Sequence, residues 1–171
     1  MECPTTITAI YIRSILDYSP ETGVFIWKYR PDMPNNWNGN YSGKVAGYKT
    51  KNGYIRIGIN GERYLAHRLA WLYVHGDWPN IFIDHADCDR ANNRIANLRL
   101  ATVAQNGFNR KTSKNNTSGI KGVHLSHGLW KSQIKVSGKL IHLGYYKCRT
   151  AAAFAYSRAA RKHYGEFARV A

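Results

Sequence analysis

Four side chains have the types and the spacing to do chemistry. Asp84 and His85 are adjacent, Asn97 follows twelve residues after His85, and Asn106 nine further on. A neutral imidazole, with an ordinary pKa near ~6.5, takes a proton from water close to neutral pH. Carboxylate and carboxamide oxygens suit a hard divalent ion, Mg2+ or Mn2+, and Asp84 and Asn106 supply them. An ion beside a base is the equipment for metal-assisted hydrolysis, above all of a phosphodiester, whose developing charge needs a counter-charge. Asp87 and Asp89 are loop acids that are solvated or form turns. They do not build an EF-hand, which would want a third acid where Ala91 stands.

The surrounding elements must bring these groups together. Ile81-Phe82-Ile83 is a β-prone run behind Pro79 and Asn80, so Asp84 and His85 stand where a buried strand emerges. A polar loop follows. Ile95, Leu98 and Leu100 then lead into a second strand, and Thr102-x-x-Gln105 is a capping box that opens a helix from about Val103, with Asn106 on its first turn. Upstream, Ala66 to His75 carries Leu69, Leu72 and Tyr73, with Leu65 before them, on one helical face and has Gly76 as a stop, so it packs against the strand of Asp84. His67 there is either a hydrogen-bonded structural histidine or a phosphate contact. His75 is a favourable C-terminal cation.

The Asp84-His85 pair, Asn97, Asn106, and the intervening Asn92-Asn93-Arg94-Ile95 and Asn97-Leu98-Arg99 resemble the HNH nuclease family in the form found in phage and intron homing endonucleases. The resemblance implies a ββα-metal (His-Me finger) centre in which His85 is the general base, Asp84 and Asn106 bind the metal, and Asn97 pins the loop and orients the imidazole. A similar His-Arg-Leu-x-Trp segment precedes the site in related proteins, which puts His67 or Arg68 near the phosphate.

Charge points to the partner. Residues 1–89 hold nine Lys or Arg and nine Asp or Glu, whereas residues 90–171 hold sixteen Lys or Arg and only Glu166. The net charge of +15 therefore sits in the second half, and a polyanion, double-stranded DNA first, is the expected partner. Cys3, Cys88 and Cys148 form neither a disulfide framework nor a Cys-x-x-Cys clamp, so no structural zinc is expected. Met1 is followed by Glu2 and Pro4 without an apolar signal core, and no run approaches a membrane span. A reducing cytoplasmic setting, that of a phage-infected bacterium, is the expectation.

The remaining chain reads as two flanks. Thr5 to Leu16 suggests a short helix, Asp17 to Gly23 a turn, Val24 to Lys28 a strand and Arg30 to Gly43 a loop, while Asn52-Gly53 and Asn60-Gly61 mark hairpin turns around Tyr54 to Ile59. This small β region either contacts DNA through Arg56 and Arg63 or scaffolds the site. Beyond it, Gly107 to Ser118 is polar and basic, and Arg110, Lys111 and Lys114 are placed to track phosphates. Ile120 to Leu125, Leu129 to Val136 and Lys139 to Tyr145 read as three strands. Thr150 then caps a helix to Tyr164, with Ala153, Phe154, Ser157, Ala160, Arg161 and Tyr164 near one face. Lys121-Gly122-Val123, Trp130-x-x-x-Ile134, Leu143-Gly144-x-Tyr146 and Ala151-Ala152-x-x-Ala155-Tyr156 resemble the plant ethylene-response-factor type DNA-binding domain. That resemblance implies a three-stranded sheet laid in the major groove, with DNA facing Lys121, His124, Gln133, Lys135 and His142; Trp130 and Lys139 are added for stacking and phosphate contact.

The expectation is an α+β chain. Residues 1–65 form a helix and small β region, 66–110 a ββα-metal nuclease centre, 111–119 a basic linker, and 120–171 a three-stranded antiparallel sheet packed on one helix. Its function is metal-dependent DNA cleavage by a monomer, with Arg68 and Arg99 among the DNA contacts. Two rivals remain: a catalytically inactive DNA-binding regulator, and a weakly specific nuclease of phage DNA processing.

Overall fold

A computed structural model of the chain describes residues 7–109, 112 and 115–169. It is α+β and divides into two compact units, Met1–Ala101 and Thr102–Ala171.

In the first unit, Thr8 caps helix α1 (Ala9–Ile15) by accepting from the Tyr11 amide, and the chain turns directly into strand β1 (Leu16–Ser19), paired antiparallel with β2 (Val24–Trp27). The helix expected between Thr5 and Leu16 is therefore present, but Asp17 to Ser19, expected as turn, are strand. Helix α2 (Asn35–Tyr41) occupies the stretch expected as loop. Asparagine and glycine disfavour helix locally, yet tertiary contacts override them here. Asn38 is buried and its side chain accepts from the Arg30 amide and donates to the Arg30 carbonyl, while Trp37 stacks edge-on against Trp27 at 5.4 Å.

Strands β3 (Tyr48–Lys49), β4 (Ile55–Ile59) and β5 (Glu62–Leu65) form a second antiparallel sheet, turned by Asn60-Gly61 as the sequence requires. Helix α3 (Ala66–His75) follows at once and ends at Gly76. Its buried Ala66, Leu69, Ala70 and Leu72 join Ile12, Leu16, Phe25, Ile57, Ile59 and Leu98 in one core. Beside that core, β6 (Phe82–His85) pairs with β7 (Leu98–Ala101), so that Asp84 lies opposite Arg99 and His85 opposite Leu98.

The second unit opens with helix α4 (Val103–Asn109). Its capping box is closed both ways: the Thr102 amide donates to Gln105 Oε1 at 2.8 Å and the Gln105 amide to Thr102 Oγ1 at 3.3 Å. Strands β8 (Val123–Ser126), β9 (Leu129–Val136) and β10 (Lys139–Tyr146) form an antiparallel sheet covered by helix α5 (Arg149–Tyr164). The first strand starts three residues later than expected, because Ser118 to Gly122 is tied into a turn by Ser118 Oγ on the Ile120 and Val123 carbonyls. Gly122 has φ +70°, and a Cβ there would lie 2.3 Å from the Tyr156 ring and 2.4 Å from the Gln133 carbonyl. The face of α5 differs from expectation as well: Ala152, Tyr156 and Ala160 are buried against Val123 and Ile134, whereas Phe154 is 71% exposed. Cys148, not Thr150, is the residue before the helix, and Thr150 lies within its first turn.

Candidate active site

Asp84 and His85 stand at the end of β6, both buried, at 8% and 5% exposure. The ladder to β7 fixes them. It also sets Arg99 across from Asp84, where Nε and Nη2 both donate to Oδ2 at 3.0 and 2.8 Å. Arg99, expected on DNA, is thus engaged with the predicted metal ligand.

The loop from Ala86 to Asn97 is cross-braced by its own side chains. Asn97 Oδ1 accepts from the Asp87 amide at 3.1 Å, and its Nδ2 donates to Asp87 Oδ1 at 3.0 Å and to the Asn92 carbonyl at 2.9 Å. Asp87 also accepts from the Asp89 amide and from Asn92 Nδ2. Burial alone would raise the Asp87 carboxyl; the bonds from Asp89, Asn92 and Asn97 together hold it below the usual range.

The Asn97 side chain, expected on the imidazole, bonds Asp87 and Asn92 instead. The contact to the imidazole belongs to Asn93, which is 2% exposed: its Oδ1 lies 3.4 Å from His85 Nε2, at the long end for a hydrogen bond. Asn93 Nδ2 donates to the Ala91 carbonyl at 3.2 Å, so the amide's oxygen is the atom turned to the ring. With Nε2 as the donor of that contact, the lone pair of neutral His85 sits on Nδ1. Burial holds the His85 imidazole below its ordinary value, opposed in part by Asn93 and by the nearby carboxylates of Asp87, Asp84 and Asp89.

A second imidazole closes the back of the site. His67, on the first turn of α3, packs edge-on against His85 with ring centroids 5.0 Å apart, and Tyr54 lies 5.4 Å from His67 and 6.1 Å from His85. His67 is 6% exposed and its Nδ1 has no hydrogen-bond partner among the described residues. Burial, with the charges of His85 and Arg68, pushes its pKa down to about 3. Arg68 itself turns to the Pro79 carbonyl and lies over the Trp78 ring.

The other expected residues belong to the second unit. Asn106 lies on the first turn of α4, its amide donating to the Thr102 carbonyl. Arg110, Lys111 and Lys114 are outside the described residues, as is Cys3. Lys121 donates from Nζ to the Phe108 carbonyl at 2.6 Å. On β9 the buried Ser132 and Ile134 face α5, which sends Lys131, Gln133 and Lys135 to the open face. His124 and Tyr145 pair with Lys131, and His142 with Gln133, so these join that face. Trp130 alternates the other way and packs on the core; Lys139, opposite Val136, follows it. Sequence reasoning missed Lys131, Asn93 and Tyr54. The strand alternation already visible in the sequence would have found Lys131, but nothing local distinguishes Asn93 from Asn92. Among the described residues no three or more His, Cys, Asp or Glu side chains gather into a metal cluster.

The strand, loop, strand and helix order thus carries a buried Asp-His pair at its first strand end. The HNH endonuclease family matches residues 64–108. Protein 3.8 of Escherichia phage T7 is 35% identical over 106 residues, which span 60% of this chain and 87% of that protein. An uncharacterized HNH endonuclease, L560, of Acanthamoeba polyphaga mimivirus is 34% identical over 127 residues, spanning 73% of this chain and 66% of that one. A solved structure of DNA binding and cleavage by the HNH homing endonuclease I-HmuI aligns at 26% identity with a TM-score of 0.40, over 54% of this chain and 49% of that one. Residues 64–108 therefore match the HNH endonuclease domain.

Proposed function

We propose that the protein is a metal-dependent DNA endonuclease of the homing type, in which Asp84, His85 and Asn106 cut and the second unit supplies recognition. The observation that carries this reading is the buried Asp84-His85 pair at the mouth of a braced loop, with Asn93 Oδ1 beside the imidazole. His85 Nδ1 accepts a proton from water, and the hydroxide attacks the phosphorus in line with the leaving oxygen.

Asp84 and Asn106 offer only oxygen atoms, which fits Mg2+ or Mn2+ and not a thiolate-bound zinc. A site with so few protein ligands suits an ion that keeps several waters. When bound, such an ion neutralises charge developing on the phosphate and the leaving oxygen. Arg99 keeps the Asp84 carboxylate in a fixed orientation throughout.

Double-stranded DNA is the substrate this reading requires, and the charge of the second half supports it. His124, Gln133, Lys135 and His142, with Lys131 beside them, share one sheet face, which supports a DNA-binding sheet in the second unit. We assign the nuclease centre to residues 66–110, the linker to 111–119 and the reader to 120–171, acting as a monomer in the cytoplasm of a phage-infected cell. The experiment is cleavage of supercoiled plasmid with Mg2+, with Mn2+ and with chelator. Nicked or linear product that requires the ion supports the reading, whereas tight, salt-sensitive binding to a cleavable target without product favours the inactive regulator.

A further inference from the structure

The β1–β2 hairpin of the first unit reaches the loop that holds His85, across a sequence separation of 75 residues. Three features make the junction. The Tyr18 hydroxyl donates to the Asn93 carbonyl at 2.7 Å, with Tyr18 7% and Asn93 2% exposed. The Ile95 amide donates to the Pro20 carbonyl at 3.2 Å. Gly23, at φ +74°, lies so close to the loop that a Cβ on it would sit 2.5 Å from both the Asn93 carbonyl carbon and the Arg94 nitrogen.

These ties act on the backbone of residues 93–95, and the one side chain that reaches the imidazole from that backbone is Asn93. Its amide is held at both ends, Nδ2 on the Ala91 carbonyl and Oδ1 at His85 Nε2. Shifting the peptide at Asn93 by a few tenths of an ångström changes a contact that is already 3.4 Å long. Tyr18 is in turn locked by packing, with the Phe25 ring centroid 4.6 Å away and that of Tyr73 5.5 Å away. Burial pushes the Tyr18 phenol up to about 12, so it remains a donor over the whole working range of pH.

We propose that the N-terminal hairpin is a brace for the general base: Tyr18, acting through Asn93, is a positioning residue that fixes the orientation and the tautomer of His85. This rests on the reading of His85 as the base, and it gives the first fifty residues a part in the reaction beyond filling a core. An Nε2–H tautomer directs the lone pair of His85 to Nδ1. Loss of the brace lets the ring exchange tautomers and orientations, which lowers turnover without weakening substrate binding.

The test is long-range 1H–15N correlation NMR of the His85 ring in the metal-free full chain near neutral pH, on the parent, Tyr18→Phe, Asn93→Ala and Phe25→Leu. The parent is expected as Nε2–H. Asn93→Ala and Tyr18→Phe should give a tautomer mixture, whereas Phe25→Leu, which loosens the same packing without removing a hydrogen bond, should keep the parental pattern. In cleavage assays kcat should fall about tenfold for Tyr18→Phe and about 10²-fold for Asn93→Ala, with KM changed less than about twofold. A parental tautomer in Tyr18→Phe, or a mixture in Phe25→Leu as large as in the hydrogen-bond variants, overturns the proposal. The ring spectrum decides this even if the parent does not cut DNA, an outcome that would remove the nuclease reading alone.

Discussion

The Arg99 guanidinium spans the two-stranded ladder to Asp84, placing Nε and Nη2 on the same carboxylate oxygen at 3.0 and 2.8 Å, with the two side chains only 18% and 9% exposed. An arginine in a basic, DNA-directed half of a chain invites assignment to phosphate, yet here its geometry serves a carboxylate. Removing one partner of such a pair strands the other charge in a poorly solvated place. Arg99→Ala should therefore destabilise the first unit by about 3 kcal/mol in denaturant titration. Arg99→Lys, which keeps the charge but loses the planar fork, should recover only part of it. Unchanged stability in Arg99→Ala would mean that the pair contributes nothing to the fold.

His67 makes stability depend on pH. Its folded-state pKa, pushed down to about 3, lies below the unfolded value of 6.5, so below that value the unfolded chain binds a proton that the folded chain refuses. Stability from this group is complete above the unfolded value and is lost progressively as pH falls toward the folded one. Thermal midpoints measured from neutral to acid pH should fall accordingly, and His67→Phe should flatten the part of the slope nearest the unfolded value. An identical slope in the variant would show that His67 does not titrate on unfolding.

The open face of the C-terminal sheet carries Lys131 and Lys135, with Gln133 between them. Lys131→Ala with Lys135→Ala should weaken DNA binding and make it less salt-dependent, the slope of log K against log salt falling by up to about 2. Trp130→Phe, on the core side, should alter stability without altering that slope. Equal slopes for the lysine double variant and the parent would take this face out of the interface.

Much of this was legible from the chain because the signals are local. The Thr102-x-x-Gln105 box closes as read, and the turn at Asn60-Gly61 adopts the positive φ that tight hairpins demand. The Asp84-His85 pair emerges from its strand where the apolar run placed it. What escaped depends on contacts between distant segments. Helix α2 is held by Asn38 on Arg30 and by an aromatic stack, against its own composition. The ring contact of Asn93, and not Asn97, with His85 follows from which side of a braced loop faces the base, and two neighbouring asparagines carry no mark of that. Tyr18 meets the loop through a backbone carbonyl, which any residue at position 93 would offer, so no side-chain pattern announces it. The face of α5 was misjudged because alanines and aromatics occur on several sides of that helix and only the sheet decides between them.

The central claim is that His85 is the base of a metal-dependent DNA endonuclease. The most direct measurement compares the parent with His85→Ala on supercoiled DNA containing a cleavable target, with Mg2+ and with chelator, alongside binding of the same DNA by both proteins. The account predicts ion-dependent product from the parent, none from His85→Ala, and binding by the variant within about twofold of the parent, since a transition-state contact contributes little to ground-state affinity. Cleavage by His85→Ala at the parental rate would contradict it.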